Sequence, residues 1–287
     1  MTSLLLIEKE DRVLHLTLNR PDKRNALSAE LCHELSEALT KAQDDDSIGA
    51  ILLDAAGRVF CSGMDLDEAR SENAQTGMEC QESLFSIGRW ARKPIVACVN
   101  GPAMGGGVGL IAQAHVAVAA QGALFGLTEV RIGMWPFLIY RSIEAAIGAR
   151  RTLELSLTGR LFSSHEALAW GLIHQTAHAF EVEDRASAIA RDLSKASPSA
   201  IRLGFEYVHS SRDKEWTQTG EIAAKLRTEC TESPDFKEGV AAFHAHREAH
   251  WPSMPESGHN GSAGSAPAGS KLEEKPHHKV PEFKNSK

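Results

Sequence analysis

Two glycine-containing loops and one carboxylate carry the residues of this chain that could perform chemistry. Gly63 and Met64 follow one predicted strand, and Gly105 and Gly106 follow the next. Backbone N–H groups from two such loops can converge on one oxygen atom and stabilise negative charge that develops on a carbonyl or an enolate. Glu129, on a third segment, is then a candidate acid or base beside them.

The second loop belongs to residues 94–114, around which the rest of the chain is organised. Residues 94–99 are apolar and rich in β-branched side chains, which predicts a buried strand. A turn is predicted at residues 100–102, and residues 108–114 predict a buried helix. A helix N-terminus presents unpaired N–H groups, and glycine lets a ligand approach them. Considered alone, however, the glycines favour tight helix–sheet packing without a ligand.

Strands and helices alternate over the first half of the chain. We predict strands at residues 13–19, 48–54, 94–99 and 115–120, and helices at 29–43 (capped by Ser28), 81–92 and 108–114. This order predicts an α/β fold with a largely parallel sheet, in which ligands bind where strand ends meet helix starts. Later helices are predicted over 140–147, 151–157, 164–170, 183–195, 198–210, 214–229 and 234–250.

This pattern predicts that the chain has three parts: an α/β core over 1–195, a helical region over 196–251 and a tail over 252–287. The tail is rich in Gly, Ser, Pro, Lys and Glu and has few large apolar side chains. Such a composition cannot bury enough surface to offset the loss of chain entropy on folding. We therefore expect the tail to be disordered.

Composition limits the classes of function. The chain has 287 residues, 42% of them hydrophobic, and a net charge of −7, which argues against a nucleic-acid partner. Its five cysteines are scattered without a Cys-x-x-Cys pair, which argues against a disulfide framework or a metal site and favours a reducing compartment. With no signal peptide and no apolar run long enough to span a membrane, we expect a soluble cytoplasmic protein without a membrane partner.

Five segments in the right order resemble the crotonase (enoyl-CoA hydratase/isomerase) superfamily, and the resemblance covers about residues 4–251. The matching segments are residues 18–27, 60–66, 100–107, 125–129 and 235–243. The resemblance implies a spiral of ββα turns followed by a helical trimerisation region, so that we expect a homotrimer or a dimer of trimers. It also implies an acyl-CoA thioester as the ligand, with coenzyme A present only as part of the substrate and no separate cofactor.

The resemblance also implies roles for individual residues. The backbone N–H groups of Met64 and Gly106 would hold the thioester oxygen beside Glu129. Two segments would hold coenzyme A, and Arg24 is the candidate for contact with a phosphate. The binding residues implied in these loops are Lys23, Arg24, Ala26, Leu27, Ser62, Gly63, Asp65, Leu66 and Gly105.

One departure from the hydratase pattern points to the type of reaction. Hydratases of this family carry two glutamates that hold and activate a water, and the first would fall at Gly109 here, whereas the second matches Glu129. A single base suffices to move a double bond from the 3- to the 2-position of an enoyl thioester. We therefore expect an isomerase; hydration of a 2-enoyl-CoA and a non-catalytic acyl-CoA-binding scaffold are the alternatives.

Other residues near these motifs admit simpler interpretations. Trp135 and Phe137 are candidates for an acyl pocket, although aromatic residues more often belong to the core, and a phenylalanine at 137 argues against family members that use an aspartate there. His115 and Cys61 are expected to be structural. Residues 107–112 fit a dinucleotide-binding Gly-x-Gly-x-x-Ala pattern, but the following strand does not end in the acidic residue that this pattern requires.

Overall fold

Two β-sheets position the loops singled out above. The structure is a computed structural model and describes residues 3–69 and 78–255. The strands within these ranges are β1 (Leu5–Glu10), β2 (Val13–Leu18), β3 (Ala50–Ala55), β4 (Ile95–Val99), β5 (Ala103–Met104), β6 (Val116–Ala120), β7 (Leu124–Gly126), β8 (Leu161–Ser163) and β9 (Gln175–Ala177).

The helices of the described residues lie mainly in the second half of the chain. They are α1 (Ala29–Asp44), α2 (Leu66–Ala69), α3 (Met78–Leu84), α4 (Gly106–Gln113), α5 (Phe137–Ile147), α6 (Ala149–Thr158), α7 (Ser164–Trp170), α8 (Val182–Ser194), α9 (Pro198–Ser211), α10 (Trp216–Glu232) and α11 (Pro234–His244). Short 3-10 helices cover Pro21–Lys23, Ile87–Arg89 and Glu129–Ile132. Ser28 caps α1 as predicted, since its hydroxyl accepts a hydrogen bond from the Leu31 N–H.

The larger sheet confirms the prediction of a largely parallel arrangement. Its strand order is β1-β2-β3-β4-β6-β9, and every neighbouring pair except β1 and β2 is parallel. Each residue of the central strand β4 is buried, which explains why its sequence is continuously apolar. Because the strands run in the same direction, the loops that follow β3 and β4 leave the sheet at the same edge.

The smaller sheet brings the segment of Glu129 to the glycine turn. Its order is β5-β7-β8, and β5 pairs in parallel with β7, so that Met104 lies opposite Gly126. The Gly105 N–H continues this pairing by donating to the Gly126 carbonyl over 2.9 Å. The glycine turn after β5 and the acid after β7 are therefore neighbours in space.

The helix predicted over residues 81–92 is wrong in extent. Helix α3 ends at Leu84, and a 3-10 turn over Ile87–Arg89 follows it. The side chain of Gln113 explains this break, since its Oε1 accepts from the Gly88 N–H at 2.7 Å and its Nε2 donates to the Phe85 carbonyl. These long-range hydrogen bonds replace the helical ones.

Strand β1 was not predicted, because its sequence shows no apolar periodicity. Only Leu5 is buried, and the other five residues are exposed. The strand forms by antiparallel pairing with β2, from Leu5 opposite Leu18 to Glu10 opposite Val13. Backbone hydrogen bonding at a sheet edge thus forms this strand, although its side chains are mostly polar or exposed.

The predicted disorder of the tail is wrong for its first residues. Ser253 donates to the buried carboxylate of Asp235 from both its N–H (2.9 Å) and its hydroxyl (2.6 Å). The Trp251 indole N–H donates to the Lys195 carbonyl at 2.8 Å. These contacts fasten the chain as far as Ser253, whereas residues 256–287 of the predicted tail lie outside the described residues.

The described residues all belong to one unit, residues 1–255. A domain boundary at residue 195 stays a prediction. Within the described residues no helix combines the length and the apolar character that a bilayer span requires.

Candidate active site

The loop that carries Gly63 and Met64 runs between two other segments of backbone. Met64 forms a parallel bridge with Leu27, and Cys61 forms one with Ala103. Gly63 has a φ of +89°, a conformation that favours glycine. Its N–H donates to the Cys61 sulfur at 3.4 Å. The bridges and the glycine turn together fix the path of the loop.

The two glycine loops are in direct contact. A Cβ atom placed on Gly63 would lie 3.5 Å from the Gly106 nitrogen and 3.0 Å from the Met104 carbonyl oxygen. Gly106 begins α4, where the first N–H groups have no partner within the helix. Neither the Met64 N–H nor the Gly106 N–H donates to another described residue. The structure therefore brings the two predicted loops together and leaves both amides without a hydrogen-bond acceptor among the described residues.

Glu129 occupies a buried position beside the glycine turn. Its carboxylate lies so close to Gly105 that a Cβ there would be 2.9 Å from Oε1. Only 8% of the residue is exposed, and its Oε2 has no hydrogen-bond partner among the described residues. Burial raises the pKa of this carboxyl above its ordinary value, against a smaller opposing effect of its own backbone N–H.

This environment excludes the simplest interpretation of Glu129, a surface acid paired with arginine. None of the ion pairs among the described residues includes Glu129, and Arg131 two residues later is exposed. A carboxylate that is buried without a charged partner is a stronger base than an exposed one. Such an arrangement is typical of an acid–base residue.

Apolar side chains cover the first turns of α4 next to the glycines. A Cβ on Gly106 would lie 2.8 Å from Leu27 Cδ1 and 3.2 Å from Phe85 Cζ. A Cβ on Gly109 would lie 2.4 Å from Ile139 Cγ2 and 3.1 Å from Phe85 Cδ1. Phe85 and Ile139 thus fill the space where a side chain at residue 109 would stand. The sequence offered no signal for either residue, because each is an ordinary apolar residue far from Gly109 along the chain.

The loop predicted to hold coenzyme A is partly exposed and partly buried. Lys23 and Arg24 are exposed, whereas Ala26 and Leu27 are buried. The Ser62 N–H donates to the Arg24 carbonyl at 3.0 Å, so the two predicted binding segments pair with each other. Lys23 forms a 3.3 Å ion pair with the exposed Asp67.

Asp65 is occupied by contacts within the protein. Its carboxylate pairs with Arg20 at 3.0 Å and accepts from the N–H groups of Asp67 and Glu68 at the start of α2. Burial opposes ionisation of Asp65, but these hydrogen bonds outweigh it and lower its pKa. Asp65 therefore shapes the loop, and the neighbouring Leu66 is exposed.

Trp135 and Phe137 do not belong to the core. Trp135 is half-buried and stacks on Tyr140 with ring centroids 6.0 Å apart. Phe137 is 75% exposed at the start of α5, so the interpretation of this residue as core is wrong. Contact of either residue with an acyl group stays a prediction.

His115 and Cys61 have the structural environments that were expected. His115 Nδ1 accepts from the Ile95 N–H at 2.9 Å, and burial lowers the pKa of its imidazole to about 4. Burial raises the pKa of the Cys61 thiol to about 12, so it stays protonated at neutral pH and is a poor nucleophile.

The two sheets and the paired glycine loops define an α/β protein with a candidate site at the strand ends, and comparison with known proteins identifies the family. A family model described as Enoyl-CoA hydratase/isomerase matches residues 8–254. A mevalonyl-coenzyme A hydratase of Aspergillus fumigatus is 30% identical over 249 residues, 83% of this chain and 91% of the relative.

Solved structures agree with this result. Enoyl-CoA hydratase of Mycobacterium smegmatis superimposes with a TM-score of 0.82 at 27% identity, over 87% of this chain and 99% of the other. Enoyl-CoA hydratase of Bacillus anthracis gives 0.83 at 26% identity, over 88% and 100%. The chain belongs to the enoyl-CoA hydratase/isomerase family, and the predicted crotonase-type α/β fold is confirmed. The family acts on acyl-CoA thioesters.

Proposed function

We propose that this protein is an enoyl-CoA isomerase that shifts the double bond of a 3-enoyl-CoA to the 2-position. The Glu129 carboxylate removes a proton from C2, and the electron pair of that C–H bond delocalises into a dienolate. The N–H groups of Met64 and Gly106 hold the negative thioester oxygen of this intermediate. Glu129 then returns the proton at C4, which leaves the double bond between C2 and C3. The reaction needs no cofactor.

The proposal rests on one combination: residue 129 is a buried acid, and other side chains occupy the space that a side chain at residue 109 would need. Glu129 lies at the glycine turn without a charged partner among the described residues. At Gly109, the contacts of Ile139 and Phe85 leave no room for a second acid. One base that removes and returns the same proton matches the needs of isomerisation, whereas hydration must also activate a water.

The raised pKa of Glu129 is consistent with both halves of this cycle. As a carboxylate it is basic enough to accept a proton from C2, and as a buried acid it readily donates that proton to C4. The apolar side chains of Leu27 and Phe85 lie next to Gly106, and low polarity there strengthens the hydrogen bonds to the thioester oxygen.

Hydration of a 2-enoyl-CoA is the second candidate, and the names of the relatives favour it. The Aspergillus fumigatus relative is named a hydratase, as are the two solved structures. In that case Glu129 would activate a water that backbone groups hold in place of a second carboxylate. The third candidate is not an enzyme but a non-catalytic acyl-CoA-binding scaffold. It predicts tight thioester binding without turnover.

Parallel incubation with a 2-enoyl-CoA and the matching 3-enoyl-CoA separates these candidates. Absorbance of the conjugated 2-enoyl thioester follows isomerisation as a rise and hydration as a fall. Isomerisation of the 3-enoyl substrate at a rate well above any hydration supports the proposal. Hydration alone supports the second candidate, and binding without either reaction supports the scaffold.

We also propose that copies of the chain associate through the C-terminal helices, as a trimer or a dimer of trimers. Helix α10 buries only Leu226 within the chain, while Trp216 is 91% and Phe243 on α11 is 77% exposed. Large apolar side chains left in water at this density favour burial against another copy. Light scattering after size-exclusion chromatography measures the mass, and a monomer of 31.1 kDa contradicts this proposal.

A further inference from the structure

Asn25 is fully buried between the loop predicted to bind coenzyme A and the loop that leaves β3. Its side chain uses three hydrogen-bonding positions. Oδ1 accepts from the Arg20 N–H at 2.8 Å, and Nδ2 donates to the carbonyls of Ala56 (2.9 Å) and Val59 (2.8 Å). None of the residue is exposed to solvent. A buried amide with its two donors and its acceptor all engaged has one defined orientation.

The backbone at Asn25 is also unusual. Its φ is +53°, in the left-handed region where asparagine is enriched among residues other than glycine. The Asn25 N–H donates to the Arg20 carbonyl at 2.8 Å and closes the turn. The residue therefore has to be one that accepts this conformation and supplies both donors and an acceptor.

Two residues beyond Asn25, backbone hydrogen bonds join its loop to the loop that carries Met64, whose N–H is one of the two proposed to hold the thioester oxygen. The Leu27 N–H donates to the Gly63 carbonyl at 2.8 Å, and the Asp65 N–H donates to the Leu27 carbonyl at 3.1 Å. These two bonds fix the peptide that carries the Met64 N–H. Gly63 in turn lies against the Gly106 nitrogen.

We propose that Asn25 is a positioning residue that aligns the Met64 N–H with the Gly106 N–H by fastening loop 20–27 to loop 56–59. The inference rests on the proposed function, because it assigns to Asn25 an effect on the two N–H groups that hold the thioester oxygen in that reaction. Asn25 acts through the backbone of residues 27 and 63–65. Small displacements of a group that stabilises developing charge are costly, since the benefit depends on alignment in the transition state.

Asn100, which follows β4, offers a matched control because its side chain contacts the same loop that leaves β3. Its Nδ2 donates to the carbonyls of Ala55 (2.7 Å) and Gly57 (3.1 Å), close to the two carbonyls that Asn25 holds. Asn100 makes no hydrogen bond to loop 20–27. Its substitution therefore loosens the exit of β3 without breaking the connection between the two loops.

The experiment compares Asn25→Gly, Asn25→Asp and Asn100→Ala with the wild type. Asn25→Gly removes the side-chain bonds without backbone strain, because glycine accepts a positive φ. Asn25→Asp keeps the size and the acceptor but sets a carboxylate against two carbonyl oxygens. We expect both Asn25 variants to lose about 10²-fold in kcat, with a smaller change in KM. Asn100→Ala retains a kcat close to that of the wild type.

Hydrogen exchange provides a readout that does not depend on turnover. Faster exchange of the Leu27 amide, which donates to the Gly63 carbonyl, in Asn25→Gly than in Asn100→Ala supports the inference. Equal kcat values for the wild type and folded Asn25→Gly overturn it, as does an equal loss in Asn100→Ala. Unfolding of both Asn25 variants, at a temperature where Asn100→Ala is folded, also overturns it, since Asn25 then supports the fold as a whole. An inactive wild type contradicts the proposed function instead and leaves the exchange comparison to decide.

Discussion

The Glu129 carboxylate lies against the backbone of Gly105, at a distance that leaves no room for a side chain at residue 105. A Cβ atom on Gly105 would be 2.9 Å from Glu129 Oε1, and the residue also has a φ of +49°. Glycine is therefore required here for two reasons, close approach and backbone conformation. The next residue is Gly106, whose N–H is one of the two proposed to hold the thioester oxygen. The turn at Gly105 and Gly106 thus both contacts Glu129 and supplies the Gly106 N–H.

The ionised Glu129 carboxylate, which the proposed reaction requires, is predicted to lower the stability of the folded protein. Because its pKa is raised in the folded chain, the folded protein binds a proton that the unfolded chain has already lost over the window between the two pKa values. Stability therefore falls as pH rises through that window. We expect Glu129→Gln to raise the melting temperature at pH 7 and to lose this advantage at low pH, where the native carboxyl is protonated.

Thermal unfolding followed by circular dichroism at several pH values checks this prediction. The control is Glu221→Gln, which changes an exposed acid on α10. A melting temperature of Glu129→Gln that is unchanged or lower at pH 7 contradicts the inference that the ionised carboxylate is held at a cost to folding.

The same raised pKa predicts the acidic limb of the pH–rate profile. The proposed base is active only when ionised, so the rate falls as pH decreases through the pKa of Glu129. Since burial raises that pKa, the midpoint should lie above that of an ordinary exposed carboxyl. Measurement of kcat/KM for 3-enoyl-CoA across acidic pH gives the midpoint of the free enzyme. A midpoint at or below the ordinary glutamate value indicates that the titrating group is not this buried acid.

The contact of Ile139 with Gly109 predicts that any side chain at 109 is destabilising. In Gly109→Ala the new Cβ would be 2.4 Å from Ile139 Cγ2, and such overpacking costs about 1–3 kcal/mol. Ile139→Ala, which leaves a cavity, costs about 2–5 kcal/mol. The double variant should be more stable than the sum of the two single effects predicts, because each change relieves the other.

Urea unfolding of the two single variants and the double variant measures this coupling. Gly204→Ala is the control, since no atom lies within 4 Å of a Cβ on this residue of α9 and the change should stabilise the helix. Strict additivity at 109 and 139 would show that the two residues do not compete for the same volume. The same pair matters for function, because Gly109→Glu should not create hydratase activity unless Ile139 is also made smaller.

The hydrogen bonds of Asp235 predict that residues 251–253 contribute to stability. Asp235 is 2% exposed and accepts from the Ser197 hydroxyl at 2.6 Å as well as from Ser253. Burial opposes its ionisation, but the bonds from Ser197 and Ser253 outweigh that effect and lower its pKa. The stability it supplies is therefore present above the pKa of the unfolded chain and lost as pH falls through the lowered folded value.

We expect Asp235→Ala to reduce the free energy of unfolding by about 2–3 kcal/mol at pH 7, because it leaves buried hydroxyl groups without an acceptor. Ser253→Ala should show a smaller loss in the same direction. Asp192→Asn, at an exposed position on α8, serves as the control. Equal stabilities of the Asp235 and Asp192 variants contradict the role given to this cluster.

Elements with a strong local pattern could be predicted from the sequence. The continuous apolar run of β4 and the cap of α1 at Ser28 are examples, and the glycine turn indicated the start of α4 within two residues. Glu129 could be singled out because the motif around it matches a known family. In each case the determining information lies within about ten residues of the chain.

Features set by distant residues could not be predicted. The break after α3 depends on Gln113, and β1 depends on pairing with β2. Ile139 closes the space at Gly109 from a helix thirty positions later, so no local pattern marks it. The burial of Glu129 likewise results from the pairing of β5 with β7. These are tertiary effects, in which the partner rather than the segment decides the outcome.

The turnover of 3-enoyl-CoA by Glu129→Gln, measured beside its affinity for a non-reactive CoA thioester, tests the central claim most directly. The glutamine keeps the size of the side chain but cannot accept a proton, so we expect kcat to fall by about 10²–10⁴-fold. The dissociation constant should stay close to that of the wild type, because the Met64 and Gly106 amides are untouched. A variant that isomerises the substrate as fast as the wild type would contradict the role of Glu129 as the base.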